Sequence, residues 1–233
     1  TTIGCRRCGG GMSGQTFVSN VDRGAALSEQ IDADVVIFEG SGSSIPSVHT
    51  DARILVVGAN QPVDYIGSYL GPYRVLTSDL IILTMCEPPI ADQAKVDEMV
   101  NAIKAVNPKC TVVKTIFRPR PIGDISGKRV VLALTAPPVM ADAISTHLEK
   151  TYGCRVQGIS THLSNRPLLR EDLARFEQLK PDAVVSELKA AAVDVVTAWA
   201  VDRGLEVVYI DNEPIPTEPS VSLEEEVLKV VAG

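Results

Sequence analysis

A carboxylate and a short glycine–serine run follow directly on an apolar stretch near the N-terminus. The stretch ADVVIF, Ala33–Phe38, ends at Glu39. Glycines and serines come next: Gly40, Ser41, Gly42 and Ser43. In this arrangement Glu39 can coordinate Mg²⁺, the glycines allow backbone N–H groups to approach a phosphate, and the serine hydroxyls add donors. A turn with a solvated Glu39 is the alternative, but glutamate rarely borders so apolar a run, which favours the functional interpretation.

A second candidate group combines thiols, guanidinium groups and glycines. In GCRRCGGG, Cys5 and Cys8 bracket Arg6 and Arg7, and three glycines follow. A structural zinc site needs four ligands, of which these cysteines supply two, and a redox thiol pair requires a helix start that three glycines disfavour. Arg6 and Arg7 can instead bind oxyanions through bidentate contacts from a flexible loop. A solvated basic loop is an equally good local interpretation.

Two further basic groups lie where anions can bind. The Pro- and Gly-rich stretch Phe117–Gly127 breaks the regular alternation of elements and is interpreted as a domain boundary. Arg118 and Arg120 stand in its FRPRP segment, whose prolines hold the chain extended, and two arginines at a domain junction can clamp a polyanion. Lys189 lies between a predicted strand and a predicted helix, where phosphates bind at helix N-termini. Local salt bridges or solvated side chains are the alternatives. The histidines are isolated in the sequence and are interpreted as surface or packing residues: His49, His147 and His162.

The elements that must position these residues alternate between strands and helices. Apolar runs of strand length occur at 33–38, 52–59, 80–84, 110–117, 128–136, 154–160, 182–186 and 205–211. Helical spacing of apolar residues occurs at 21–31, 91–106, 137–153, 170–179, 188–203 and 222–233. This alternation predicts an α/β fold with mostly parallel, three-layer sheets. Ligands bind beyond the carboxyl ends of such strands, and Thr84 and Glu87 stand at one of these ends.

Composition and charge exclude several classes of protein. Of the 233 residues, 45% are hydrophobic and 22% are charged, as in ordinary globular proteins. The formal net charge of -7 argues against general binding to nucleic acids or anionic membranes. The sequence has neither an apolar run of membrane-spanning length nor a signal peptide. Its five scattered cysteines suit a reducing cytoplasm better than a disulfide framework.

Two nucleotide-binding signatures are absent from these 233 residues. There is no GxxxxGK[ST] phosphate loop, since the SGKR at Ser126–Arg129 lacks the first glycine and precedes a strand instead of a helix. A GxGxxG fingerprint after a strand is absent as well. The sequence starts Thr-Thr without a methionine. We therefore expect a fragment or a processed chain, with any phosphate loop upstream of Thr1.

Several stretches together resemble one known family. They are IGCRRCGGGMSG, VIFEGSGSSIP, GPYRVLTSDLIILTMCEPP, TIFRPRP with ISGKRV, and ELKAAAVDVVT with VVYIDNEP. Over nearly its whole length the sequence resembles the C-terminal half of the cyclic 2,3-diphosphoglycerate synthetase family. The resemblance implies a partial P-loop NTPase-like sheet over residues 1–120 and a small Rossmann-like domain over residues 121–233.

The resemblance implies an ATP-dependent ligase that closes a phosphoanhydride between the two phosphates of 2,3-diphosphoglycerate. ATP and Mg²⁺ would be the cofactors. Glu39 would hold the metal and act in catalysis together with Arg6 and Arg7. The nucleotide would be bound by Gly40, Gly42, Thr84 and Glu87. The bisphosphate would be bound by Arg118, Arg120, Lys189, Ser41 and Ser43.

Other functional hypotheses remain open from the sequence. The chain alone could be a substrate-binding or dimerising module of a P-loop kinase-like enzyme, inactive without an upstream ATP-binding half. An oxidoreductase that uses Cys5 and Cys8 is a weaker third hypothesis. For the first two hypotheses we expect a cytoplasmic homodimer that binds a small anionic substrate, and neither a nucleic acid nor a membrane.

Overall fold

The structure, a computed structural model, describes residues 1–5, 20–40 and 48–232. Seven strands form in these residues: β1 (Ile54–Gly58), β2 (Leu80–Thr84), β3 (Thr111–Pro121), β4 (Arg129–Ala133), β5 (Arg155–Ser160), β6 (Ala183–Glu187) and β7 (Glu206–Pro216). Eight α-helices accompany them: α1 (Val21–Ser28), α2 (Asp64–Gly67), α3 (Gly71–Leu76), α4 (Gln93–Val106), α5 (Ala141–Tyr152), α6 (Arg166–Phe176), α7 (Ala198–Val201) and α8 (Leu223–Ala232). The predicted α/β class is confirmed.

The described residues divide into two compact units. The first unit comprises Thr1–Leu83, Lys95–Val113 and Pro219–Gly233, and the second comprises Thr84–Ala94 and Lys114–Glu218. In the first unit β1 pairs with β2, and β2 pairs with the start of β3. Ser222 caps the last helix, because the Glu225 backbone N–H donates to Ser222 Oγ at 3.2 Å.

The sheet of the second unit has the order β3-β7-β6-β4-β5. Pairings β4–β5, β4–β6 and β6–β7 are parallel, and β3–β7 is antiparallel. Apolar residues of α6 and of the π-helical turn Ala192–Thr197 pack on one face of this sheet. Leu148 of α5 packs on the opposite face. Helices therefore cover both faces of a mostly parallel sheet, as the continuous apolar strands predicted.

The predicted buried strand over Ala33–Phe38 is wrong. Residues 35–40 have no regular secondary structure, and Ile37 is 86% exposed. An apolar run is suited to burial, but a strand also needs backbone partners on a neighbouring strand, and the run alone does not supply them. Glu39 consequently lies in an exposed, irregular segment and not at a strand end.

The prediction that Phe117–Gly127 breaks the regular structure is also wrong for its first half. Residues 117–121 complete β3, where Pro119 and Pro121 lie opposite Asn212 and Ile210 of β7. Alternate N–H groups of a strand point away from an antiparallel partner, so proline at those positions removes no bond to β7. The boundary between residues 120 and 121 stays a proposal.

Two short helices, α2 and α3, were not predicted. They lie in a segment whose glycines and proline indicated a loop. Gly71 is the first residue of α3. A Cβ at this position would lie only 1.9 Å from the carbonyl oxygen of Tyr65, so α2 and α3 can approach this closely only because the residue is glycine. The predicted helix over 188–203 is present at 190–201 and contains the π-helical turn. Within the described residues, no helix has the length and apolarity needed to cross a membrane.

Gly158 of β5 allows α6 to pack closely, and its replacement should destabilise the second unit. A Cβ at Gly158 would lie 2.7 Å and 3.0 Å from two ring carbons of the buried Phe176. We expect Gly158→Ala to lower the free energy of unfolding by about 1–3 kcal/mol, measured by urea denaturation. Gly123→Ala is the control, since its added Cβ meets Val208 at 3.5 Å, an ordinary contact. Equal stability of the two variants would contradict this packing.

Asp182 joins the starts of β6 and β4 and should make stability depend on pH. Its carboxylate accepts hydrogen bonds from the Arg129 backbone N–H at 2.8 Å and guanidinium at 2.7 Å and 3.0 Å. The Arg129 contacts lower the pKa of Asp182 to about 2. Since an unfolded aspartate titrates near 3.9, this group stabilises the fold above about pH 4 and stops doing so as the pH falls towards 2.

We therefore expect the stability difference between wild type and Asp182→Asn to be constant above about pH 5 and to narrow towards pH 2. Urea denaturation at a series of pH values measures it. A difference that does not change with pH would show that the ionised carboxylate contributes nothing.

Candidate functional site

A buried glutamate lies at the centre of a polar cluster in the second unit. Glu187 ends β6, and only 7% of its side chain is exposed. Its Oε2 accepts from Thr135 Oγ1 at 2.5 Å, and its Oε1 accepts from Asn212 Nδ2 at 3.3 Å. Thr135 follows β4 by two residues and Asn212 lies in β7. The cluster is therefore at the carboxyl end of β4 and β6, where ligands bind in parallel sheets.

Lys189 completes this Glu187 cluster. Its Nζ donates to Thr135 Oγ1 at 2.8 Å and lies 3.4 Å from Glu187 Oε2. Half of the lysine side chain is exposed, whereas the glutamate beneath it is buried. An ammonium group has three donors, so an anion can bind Lys189 while the lysine keeps its contact with Thr135. The arrangement suits a cation that is held by buried acceptors and presented to solvent.

Glu87 and Arg118, two predicted site residues, bind each other. The guanidinium donates to both carboxylate oxygens of Glu87, at 2.6 Å and 2.7 Å, and also to the carbonyl of Phe117 at 2.8 Å. The hydrogen bonds to Glu87 raise the pKa of Arg118. Among the described residues, these bonds use three of the five guanidinium N–H groups, which leaves two for a ligand. Both side chains are about four-fifths buried, so the pair is fixed in orientation.

The ion pair and the Glu187 cluster are connected through β3 and β7. Asn212, which donates to Glu187, lies opposite Pro119, and Arg118 lies opposite Glu213. The Cys86 backbone N–H donates to the carbonyl of Thr115, which brings the segment that carries Glu87 beside β3. The ion pair and the Glu187 cluster therefore both belong to the second unit, and neighbouring residues of β3 and β7 carry part of each.

Arg120 occupies a more exposed position on the same ribbon. It lies opposite Asp211, whose Oδ2 accepts from Nη2 at 3.2 Å, and its Nε is 3.7 Å from Glu213 Oε2. More than half of each of the three side chains is exposed. Exposed ion pairs contribute little to stability, so Arg120 can exchange its carboxylates for an anionic ligand at small cost.

The other predicted site residues are distributed differently. Thr84 ends β2 and is buried. Glu39 and Gly40 are exposed and belong to the first unit. The remaining predicted residues lie outside the described part of the chain: Arg6, Arg7, Ser41, Gly42 and Ser43. The roles given to these residues remain predictions.

Sequence reasoning missed three partners in the second unit. Thr135 and Asn212 were visible only as residues at strand ends, and nothing in the sequence indicated that both donate to Glu187. His162 was interpreted as a surface or packing residue, yet its Nδ1 lies 2.8 Å from the buried carboxylate of Asp172. His162 and Asp172 are ten residues apart, and the sequence gave no signal of their contact because the contact depends on how the loop after β5 leads into α6.

Thiol and metal chemistry have little support in the described residues. Burial raises the pKa of the thiols of Cys86, Cys110 and Cys154, which keeps them protonated near neutral pH. In the ranges 1–5, 20–40 and 48–232, no group of three or more histidine, cysteine, aspartate or glutamate residues could hold a metal ion. A metal bound largely by substrate phosphates needs only one or two protein carboxylates, and Glu39 fits that requirement.

Comparison with known proteins identifies the family. Residues 1–116 match the family model described as the P-loop domain of cyclic 2,3-diphosphoglycerate synthetase, and residues 121–213 match the model of its C-terminal domain. The chain belongs to the cyclic 2,3-diphosphoglycerate synthetase family. All four members of the Glu187 cluster lie within the match to the C-terminal domain, which ends at residue 213.

Relatives of that name match along most of the chain. The synthetase of Methanothermus fervidus is 48% identical over 231 residues, which is 99% of this chain and 50% of the relative. That of Methanothermobacter thermautotrophicus is 50% identical over 214 residues, 92% of this chain and 46% of the relative. The Rubrobacter xylanophilus protein is 47% identical over 215 residues, which is 92% of this chain and 48% of the relative. The chain spans about half the length of the curated relatives it matches.

Proposed function

We propose that the protein catalyses the ATP-dependent cyclisation of 2,3-diphosphoglycerate to cyclic 2,3-diphosphoglycerate. The observation that carries the proposal is the match of two consecutive family models and of relatives with that name over nearly the whole chain. The reaction joins two phosphates of one molecule in a P–O–P bond. Its substrate carries two phosphates and a carboxylate, so the site must supply several fixed cations.

The second unit carries three cations that we assign to this role. Arg118 and Arg120 lie two residues apart on β3, and Lys189 lies at the end of β6. Arg120 can exchange its exposed carboxylate partners for a phosphate, whereas Arg118 and Lys189 can bind a phosphate through the donors that their present contacts leave over. The planar guanidinium of Arg118 suits bidentate contact with two phosphoryl oxygens, whereas the compact ammonium group of Lys189 suits contact with a single oxygen. We propose that these residues bind the bisphosphate and that Arg6 and Arg7, with Ser41 and Ser43, add further donors.

The bond changes follow from the reaction. One phosphate of the substrate accepts the γ-phosphoryl group of ATP, and ADP is the leaving group. An oxygen of the other phosphate then attacks the phosphorus of the activated phosphate, and the bond to the added phosphoryl group breaks to release inorganic phosphate. Positioned positive charge stabilises such loose transition states, and it also holds the two substrate phosphates close enough to react.

The nucleotide phosphates are assigned to the glycines after Glu39 and to the residues at and after the end of β2. We propose that Gly40 and Gly42 donate backbone N–H groups to them, that Thr84 and Glu87 contribute to nucleotide binding, and that Glu39 holds Mg²⁺. When bound, Mg²⁺ would neutralise phosphate charge. Glu39 lies in an exposed segment of the first unit. Glu87 binds Arg118 in the structure, so its proposed role is to orient that guanidinium.

The proposal extends to organisation and location. We propose a P-loop NTPase-like sheet over residues 1–120, a Rossmann-like domain over residues 121–233, a homodimer, and a cytoplasmic location. The cytoplasmic location is supported by the cysteines in the described part of the chain, which are free and suit a reducing compartment: Cys5, Cys86, Cys110 and Cys154.

Calorimetric titration of the purified protein tests the proposal. We expect saturable binding of 2,3-diphosphoglycerate, and of ATP only with Mg²⁺ present. Binding of the bisphosphate without any binding of ATP would instead favour a substrate-binding module that needs an additional ATP-binding part. Absence of bisphosphate binding would contradict the proposed substrate.

A further inference from the structure

A second buried carboxylate in the second unit fixes a histidine. Asp172 of α6 has only 6% of its side chain exposed. Its Oδ2 accepts from Ser160 Oγ at 2.6 Å and pairs with His162 Nδ1 at 2.8 Å, and its other oxygen binds Arg175. Burial alone would raise the pKa of Asp172, but these three hydrogen bonds and the charge of Arg175 together lower it. Asp172 is therefore an ionised acceptor at neutral pH.

The ionised carboxylate determines which ring nitrogen of His162 is available. A carboxylate can only accept, so Nδ1 must carry the proton in the contact with Asp172. The other nitrogen, Nε2, has no hydrogen-bond partner within the residues that the structure describes, and 41% of the side chain is exposed. When the ring is protonated, Nε2–H is a charged donor backed by a negative partner. The ring is thus held through Nδ1, while part of the side chain stays accessible to solvent.

The histidine lies at the same end of the sheet as the Glu187 cluster. Ser160 of β5 and Ser186 of β6 are both in register with Ala133 of β4, so the three strands end side by side. The backbone of Leu134, which precedes Thr135, pairs with the loop after β5: its N–H donates to Ser160 at 2.8 Å, and its carbonyl accepts from Leu163 at 3.1 Å. His162 thus belongs to the loop that borders Thr135.

A further ion pair holds the two loops together. Arg166 begins α6, four residues after His162, and Asp194 lies in the π-helical turn, five residues after Lys189. The Arg166 guanidinium donates to Asp194 through Nε at 3.0 Å and Nη2 at 2.7 Å. The helices that follow the His162 and Lys189 loops are therefore fixed to each other near their starts.

We propose that His162 is an additional phosphate-binding residue of the second unit, donating Nε2–H to a phosphoryl oxygen of a ligand that Lys189 also contacts. Asp172 is its positioning residue. The ligand class is a phosphorylated anion, and its identification as 2,3-diphosphoglycerate rests on the proposed function. A phosphate dianion favours the protonated ring, so ligand binding and imidazolium formation reinforce each other.

The test uses a variant that keeps the buried contact and removes the proposed donor. In His162→Asn the side-chain amide nitrogen can take the place of Nδ1 beside Asp172, while nothing replaces Nε2. We expect at least tenfold weaker binding of inorganic phosphate and of 2,3-diphosphoglycerate, measured by calorimetry. The control is His49→Asn, an exposed histidine of the first unit, which should bind both anions as the wild type does.

Nitrogen-15 NMR of the imidazoles gives an independent signature, because the sequence has only three histidines. Titration with inorganic phosphate should shift one Nε2 resonance saturably, and that resonance should be absent from the His162→Asn spectrum. Asp172→Asn should weaken phosphate binding and change the Nδ1 resonance of His162, because the ring loses its charged hydrogen-bond acceptor. If Asp172 merely stabilised the fold, its variant would melt at a lower temperature without that spectral change.

The outcomes separate this proposal from the proposed function. A His162 response to inorganic phosphate without one to 2,3-diphosphoglycerate would support the phosphate site and contradict the substrate. Wild-type binding of 2,3-diphosphoglycerate by His162→Asn, with no shifted histidine resonance, would overturn the role of His162 and leave the proposed function standing.

Discussion

Glu39→Gln should reduce the rate of cyclic product formation by about a thousandfold or more, with no change in the fold. The substitution keeps the size of the side chain and removes the charge that we assign to Mg²⁺. Metal-based charge stabilisation is worth several kcal/mol, and each 1.36 kcal/mol corresponds to a tenfold change in rate. Glu39 is exposed in an irregular segment, so its replacement should leave the unfolding transition unchanged.

The control for this variant is Glu29→Gln, which removes a charge from another exposed glutamate of the same unit. It should retain the wild-type rate. Steady-state assays over a range of Mg²⁺ concentrations give the comparison. Wild-type activity of Glu39→Gln at saturating Mg²⁺ would rule out the assignment, because a lost metal ligand cannot be silent at every step of the reaction.

Lys189→Met should weaken the binding of 2,3-diphosphoglycerate by about ten- to a hundredfold. A hydrogen bond from a charged group contributes about 1.5–3 kcal/mol, and about 1.4 kcal/mol corresponds to one decade in the dissociation constant. Methionine retains much of the length and the apolar stem without the ammonium group. The buried Glu187 keeps its bonds from Thr135 and Asn212, so the protein should stay folded.

Calorimetry with 2,3-diphosphoglycerate measures this effect, and Lys150→Met is the matched control. Lys150 is an exposed lysine of α5 in the same unit, so its variant has the same change in net charge. A loss of affinity common to both variants would indicate a general electrostatic effect. Unchanged affinity in Lys189→Met would remove this lysine from the site.

The sequence predicted those elements whose apolar runs coincide with regular backbone pairing. The β4 and β6 runs are continuous and apolar, and both strands are buried between helices in the second unit. The helix periods of α4 and α5 were equally clear. By contrast, the apolar run Ala33–Phe38 looked the same in sequence and forms no strand, because apolar character indicates burial and not the presence of a partner strand.

The candidate site shows a similar division. Position after a predicted strand drew attention to Glu87 and Lys189, and the proline-flanked basic cluster drew attention to Arg118; their roles as site residues stay predictions. The pairing of Arg118 with Glu87 was not predictable, because it depends on the return of the chain to β3, 31 residues later. Nor was the contact between His162 and Asp172, which arises only when α6 folds back against β5.

Phosphorus-31 NMR of the protein incubated with Mg²⁺, ATP and 2,3-diphosphoglycerate tests the central claim most directly. We expect the two phosphomonoester resonances of the substrate to be replaced by upfield resonances of a phosphoanhydride, with one ADP and one inorganic phosphate formed for each cyclic product. The reaction should require all three components. Conversion of ATP to ADP and phosphate while the bisphosphate resonances remain unchanged would contradict the proposed cyclisation.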